Sequence, residues 1–291
     1  MRTITYVATE QDAGKRAEQV LLGPMQVSRS LLSRLKRRPD GICVNGQRVY
    51  STYVLRAGDM VSAEVGDREP PRTVPPVEMD LVVAFEDEDF LVVDKPANLP
   101  VHPTKDPGEK SLEQGLLAYL SGGDSPHFVS RLDKGTTGLM LVTKSGYAHE
   151  LMKRRLHTNA FHREYLAVAE GRVIPSCGTV DAPIGLADGS SYRHCVCPDG
   201  AASTTAYETL KTAGDRTLLR LLPQTGRTHQ LRVHMAHLGF PLTGDWLYGR
   251  RCERIDRPAL HSHRLLFRHP LTGEWIECIS PLPKDMEGLL N

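Results

Sequence analysis

The sequence predicts an α+β protein, with a large domain built on a mainly antiparallel or mixed central sheet and a smaller α+β unit before it. Three observations carry that expectation. Segments of strand composition outnumber helical ones and do not follow strict β-α-β alternation. The stretch GDREPPRTVPPVEMD, from Gly66 to Asp80, carries four prolines among many charges and almost no apolar periodicity, which is linker composition. Finally, 291 residues is long for one compact domain and suits a large domain with an appendage. The expected division is residues 1–66, a linker at 67–80 where the two units hinge, and residues 81–291.

The first unit runs from about Asp12 to Val65. Leu31, Leu32 and Leu35 lie at helical spacing beside Arg34, Lys36, Arg37 and Arg38, so one helix face is apolar and the other cationic. GICVNGQRVYSTYVLRAGDMVSAEV then reads as short strands turned at Asn45-Gly46 and closed at Gly58-Asp59. A basic helix pair followed by a small hairpin resembles the S4-like RNA-binding domain, with those four cations as its RNA contacts. A small structural domain with a solvated basic face is the other reading.

In the second unit, LVVAF and FLVVD read as strands turned by the acidic run Glu86, Asp87, Glu88 and Asp89. SLEQGLLAYL reads as a helix opened by a Ser111/Gln114 capping box, GLMLVT as a buried strand, and Ser145 as the cap of the next helix. REYLAVAEG, TTAYETL and TLLRLL supply further strands. The helix THQLRVHMAHLG ends at Gly239, and HRLLF and EWIECI form a late hairpin around HPLTGE.

A formal net charge of +1 hides segregation: five basic residues and no acidic one lie between Arg29 and Arg38. From Thr217 to Gly244 no carboxylate occurs, while Arg220, Arg227 and Arg232 do. Such patches suit a polyanion or are simply solvated. The six cysteines show no paired C-x-x-C spacing, which reads as free thiols in a reducing cytosol. No signal-peptide layout and no apolar run near the ~20 residues of a membrane span is present, so a cytoplasmic protein is expected. There is no Gly-rich phosphate loop, dinucleotide fingerprint or zinc quartet, so neither cofactor nor metal is expected.

SRLDKGTTGLMLV, residues 130–142, puts an arginine and an aspartate in a loop that leads into a buried strand, where reactive groups are often held. Taken alone, Asp133 equally serves to cap a turn and pair with Arg131. Four further segments accompany it: VDKPANLPVHP at 93–103, REYLAVAEG at 163–171, QTGRTHQLRVHMAHLGFPLTGDWLYG at 224–249 and LHSHRLLFRHPLTGEW at 260–275. Together, and in this order, they resemble RluA-type pseudouridine synthases from about Leu81 to Leu282, RluC/RluD-like in carrying an S4-like unit in front.

The resemblance implies the pseudouridine synthase fold and an isomerisation of particular uridines in RNA that needs no redox change, metal or external group. The uracil leaves the ribose, turns, and rejoins through carbon 5. Asp133 matches the family's catalytic carboxylate, attacking the anomeric carbon or assisting a glycal intermediate. A carboxylate that a nucleotide will enclose needs a cation beside it to stay charged, and Arg227 matches the position expected to provide it. Tyr165 matches the tyrosine that stacks on the target base and takes the 2′ proton, Arg131 the arginine that fills the space of the flipped nucleotide, and Leu231 an apolar position lining the pocket. The family usually writes His where Ser130 stands, and Thr136-Thr137-Gly138 replaces the common Thr-Ser-Gly. Family members with an S4-like unit mostly act on large-subunit ribosomal RNA; transfer RNA is the alternative, and the chain is expected to be a monomer.

Weaker signals have bland readings beside them. His229, His234 and His237 fall on different sides of one helix, against a metal site. His194, Cys195 and Cys197 in YRHCVCPDG read as an irregular surface loop. Trp246 and Tyr248 either line the RNA cleft or pack in the core, and the arginines of GRRCERIDRP either face phosphate or solvent. Two other functions compete: an RNA-binding module without chemistry, and a nucleoside or glycoside hydrolase. The hydrolase would need a second carboxylate as acid and base, for which the segment at 224–249 offers only Asp245.

Overall fold

Along TITYV, side chains alternate between solvent and interior with the period of a half-buried strand, and this segment forms β1 (Thr3–Val7). The structure, a computed structural model, describes residues 2–66, 74–106, 108–120 and 125–291. Helices α1 (Ala17–Leu22) and α2 (Arg29–Leu35) follow; Ser28 caps α2 by accepting the Leu31 N–H at 3.1 Å, and Leu31, Leu32 and Leu35 are buried. Strands β2 (Cys43–Val44) and β3 (Gln47–Arg48) turn at Asn45 and Gly46, both at positive φ as a tight hairpin demands. With β4 (Met60–Glu64) these strands form a sheet in the order β1-β4-β2-β3.

The second unit begins with β5 (Val82–Glu86) and β6 (Phe90–Lys95), then α3 (Leu112–Tyr119), whose Ser111 and Gln114 bond reciprocally as a capping box. Next come β7 (His127–Phe128), β8 (Thr137–Thr143), α4 (Gly146–Lys153) and β9 (Phe161–Glu170). Ser145 caps α4, accepting the Ala148 N–H at 3.2 Å. β10 (Cys177–Asp181), β11 (Ile184–Leu186), β12 (His194–Val196), β13 (Thr204–Ala213) and β14 (Arg216–Pro223) precede α5 (Gln230–His237), and β15 (Leu260–Arg268) and β16 (Trp275–Ile279) follow it. A single large sheet runs β10-β13-β14-β9-β15-β8-β6-β5, with β16 on β15 and β7 on β8. Its pairs are antiparallel except β8 with β15, which is parallel through Thr137 opposite His261 and Gly138 opposite Ser262. The mixed α+β sheet expected from the sequence is what forms. All seven residues of β8 are buried, as a strand covered on both faces must be.

One local expectation is corrected: YRHCVCPDG is not irregular throughout, because β12 pairs with β11, Val196 lying opposite Ile184. The acidic run makes the turn expected of it: Asp87 accepts the N–H groups of Asp89 and Phe90, Glu86 and Glu88 are exposed, and Asp89 is buried against Arg2 of the first unit.

Of the stretch expected to act as a hinge, residues 67–73 lie outside the described residues. Residues 74–80 form neither helix nor strand, and Val77 donates to the Gln114 carbonyl at 3.1 Å. The two units share an apolar cluster in which Tyr147 and Leu151 of α4 pack with Val20, Met25 and Leu31. Tyr147 also donates its hydroxyl to the Met25 carbonyl at 2.9 Å. Linker composition reports only on the linker; burial of two large side chains, about 1.5–3 kcal/mol each, ties the bodies on either side together.

Candidate active site

The loop between β7 and β8 closes on itself through Thr136 N–H to Asp133 C=O at 3.0 Å. Two buried cations hold it from below. Lys95, 1% exposed, donates to the carbonyls of Pro96, Leu99 and Lys134 at 2.8, 2.9 and 3.0 Å, tying VDKPANLPVHP to the Asp133 loop with all three of its protons. Arg257 is equally buried, forks onto Asp285 and donates to the carbonyls of Gly135, Pro258 and Leu260. Burial and the neighbouring Arg257 charge push Lys95 down to about 7, against the opposing pull of Asp133.

Above this base lies an open cleft of about 490 Å³ that Arg131, Asp133, Tyr165, Arg227, His229 and Leu231 all line. Arg131 is exposed at its rim, and Tyr165, from the middle of β9, and Leu231, from the first turn of α5, are 93% buried in its wall. Burial raises the Tyr165 phenol above its usual range, so its ring enters the site neutral.

The cation on Asp133 is not the expected one. Arg227 donates through Nε to the Ala202 carbonyl at 3.2 Å and is otherwise exposed. Instead Arg232 reaches Asp133 Oδ2 through Nη1 at 3.1 Å. The rest of its guanidinium forks onto Asp245, Nε to Oδ2 at 2.7 Å and Nη2 to Oδ1 at 2.8 Å. Asp245 is fully buried and also accepts the N–H groups of Leu247 and Tyr248. Burial opposes the Arg232 charge, but Asp245 and Asp133 outweigh it and hold this group above its ordinary range. The Tyr248 ring lies 5.0 Å from the guanidinium carbon.

Arg232 escaped the sequence reading because it lies in the same carboxylate-free stretch as Arg227; the turn into α5 decides which arginine faces Asp133. That turn is made by His229, the residue before α5, at φ 57° and ψ 15°. Left-handed backbone costs a histidine roughly 1 kcal/mol or more. His234 is buried between Thr205 Oγ1 and the Ala182 carbonyl, and His237 is exposed.

Other expected contacts distribute unevenly. Lys36 pairs with Glu18 at 3.1 Å, Arg34 and Arg37 are exposed, and Arg38 turns inward to the carbonyls of Glu64 and Gly66. Of the GRRCERIDRP arginines, Arg250 pairs with Glu170, Arg254 with the Gly288 carbonyl and Arg257 with Asp285, leaving Arg251 exposed. Trp246 is half exposed, whereas Tyr248 bonds within the site. Among the described residues no helix is long and apolar enough to cross a membrane.

A cleft with a carboxylate beside a flat aromatic ring, the carboxylate braced by a buried arginine, suits an enzyme that works on a base drawn out of its stack. The sequence profile described as RNA pseudouridylate synthase matches residues 89–237, and the chain belongs to that family. It is an RNA pseudouridine synthase, an isomerase. It is 37% identical to the uncharacterized RNA pseudouridine synthase YjbO of Bacillus subtilis (strain 168), across 92% of this chain and 96% of that one. Ribosomal large subunit pseudouridine synthase D of Xanthomonas campestris pv. campestris is 35% identical, across 98% and 91%. Among solved structures, human RNA pseudouridylate synthase domain containing 1 superposes at a TM-score of 0.59 with 29% identity, covering 72% of this chain and 86% of its own.

Proposed function

We propose that this synthase isomerises uridines of large-subunit ribosomal RNA, with Asp133 as the carboxylate that acts at the anomeric carbon. The observation that carries the chemistry is the placing of Asp133 and Tyr165 in one cleft, with Arg232 on the carboxylate to keep it charged when a nucleotide excludes water. Tyr165, neutral and flat, stacks on the flipped uracil, an interaction worth about 1–3 kcal/mol. Arg131 at the rim and Leu231 in the wall complete the nucleotide pocket, and Arg227 meets RNA from its exposed place beside them. Residues 2–66 act as an S4-like RNA-binding domain, with Arg34, Lys36 and Arg37 toward phosphate. The ribosomal substrate is supported by relatives named as large-subunit synthases that match nearly the whole chain, the first unit included. A hydrolase reading is weakened because Asp245, the second carboxylate held on Arg232, is fully buried there.

The test is tritium release from ribosomal and transfer RNA labelled at carbon 5 of uridine. Release by the intact protein from ribosomal RNA, and none by Asp133→Asn with binding retained, is expected. Release from transfer RNA alone would overturn the substrate, turnover by Asp133→Asn would overturn the role of the carboxylate, and free uracil as product would restore the hydrolase.

A further inference from the structure

His229 combines a backbone conformation its type avoids with a tethered side chain in the cleft. Its left-handed φ of 57° is one that glycine and asparagine occupy readily and histidine seldom does. Strain of this kind persists where a site has a use for it. Nδ1 lies 2.8 Å from the Tyr248 hydroxyl, and that hydroxyl accepts the His194 N–H at 3.0 Å. The hydroxyl keeps its hydrogen for Nδ1, and where it donates that hydrogen there, the neutral ring carries its own proton on Nε2. Nε2 faces Asp133 Oδ2 at 3.8 Å, the same oxygen that receives Arg232. Among the described residues no side chain donates to Oδ1.

We propose that His229 is a positioning residue for the isomerisation: fixed by Tyr248 as the Nε2–H tautomer, it works with Arg232 to hold Asp133 by Oδ2 and so present Oδ1 to the ribose. This rests on Asp133 being the reacting carboxylate. A gap of 3.8 Å exceeds a hydrogen bond and closes by a small rotation or through one water, as is common before substrate binds. The groups around the ring are Asp133, Arg232, Asp245, His194 and Tyr248. Burial, aided by Arg232 and His194, outweighs the two carboxylates and sets His229 below its ordinary range, so the ring is neutral at pH 7 and charges only in acid.

Asparagine fits the left-handed backbone better than histidine but has no Nε2. His229→Asn therefore keeps or raises the melting temperature while kcat for tritium release from ribosomal RNA falls roughly tenfold to a hundredfold, with KM little changed. His229→Gln, whose amide N–H comes near the Nε2 position, recovers part of that loss. Nitrogen-15 NMR of the histidines in the free protein reads the tautomer without any RNA: the proton sits on Nε2, and Tyr248→Phe mixes the tautomers. A proton on Nδ1, full kcat in His229→Asn, or a lost melting temperature with raised KM in that variant would each overturn the proposal. Should the wild type release no tritium from this RNA, the substrate reading fails, and the positioning role stands or falls on the NMR result.

Discussion

Arg232 is divided between two carboxylates by the shape of its own head group. A guanidinium offers a rigid fork to Asp245 and a further N–H to Asp133; an ammonium is a point charge and satisfies one of them well. Arg232→Lys should therefore cut kcat by about a hundredfold and lower the melting temperature by a few degrees. Arg232→Met should destabilise by roughly 3–5 kcal/mol, because it leaves the charge of the fully buried Asp245 without a counter-ion. Tritium release and thermal melts separate the two effects; a lysine variant with full activity would show that Asp133 needs no fork beside it. Asp133, Tyr165, Arg131 and Leu231 were legible in the sequence, and all four line one cleft. The partner of Asp133 was not, because a one-residue left-handed turn leaves no mark on composition or periodicity, and His229 is an uncommon residue to make it. Lys95 and Arg257 were missed because charged residues are expected at the surface, and only the fold shows carbonyls gathered around them.

At the scale of elements, the strands followed from apolar patterning and the caps of α3 and α4 from Ser111 and Ser145, while the pairing across the sheet did not follow. The join between β8 and β15 depends on Gly138, at φ 105°, where an added Cβ would lie 2.3 Å from the Ser262 carbonyl oxygen and 2.7 Å from its nitrogen. Backbone atoms cannot yield as a flexible side chain can. Gly138→Ala should cost several kcal/mol and lower the melting temperature by about 5 °C or more, with activity falling in parallel because β8 carries the Asp133 loop. Calorimetry checks it, and an unshifted melting curve would mean that the two strands separate at no cost. The irregular loop expected around Cys195 became a hairpin for a similar reason: its pairing partner, Ile184, lies twelve residues before Val196, and no local turn signal announces it.

Over the whole molecule, net charge said little and its distribution said more, though structure thins the basic surface considerably. Arg38, Arg250, Arg254 and Arg257 all turn to protein acceptors. Replacing Arg34, Lys36 and Arg37 by alanine together should weaken RNA binding and reduce its logarithmic salt slope by up to about one per cation removed. Filter binding at several salt concentrations measures this, and an unchanged slope would remove the first unit from the RNA interface. The shared cluster around Tyr147 ties the first unit to the body that carries the cleft. The parallel join of β8 to β15 brings a further consequence, in time. Thr137 Oγ1 meets His261 Nδ1 at 2.9 Å across 124 residues of chain, so the Asp133 loop gains its support only after nearly the entire polypeptide has been made. A growing chain presents its first unit, with that unit's cations, long before the strand that supports the Asp133 loop exists, and the cleft is among the last things the folding chain completes.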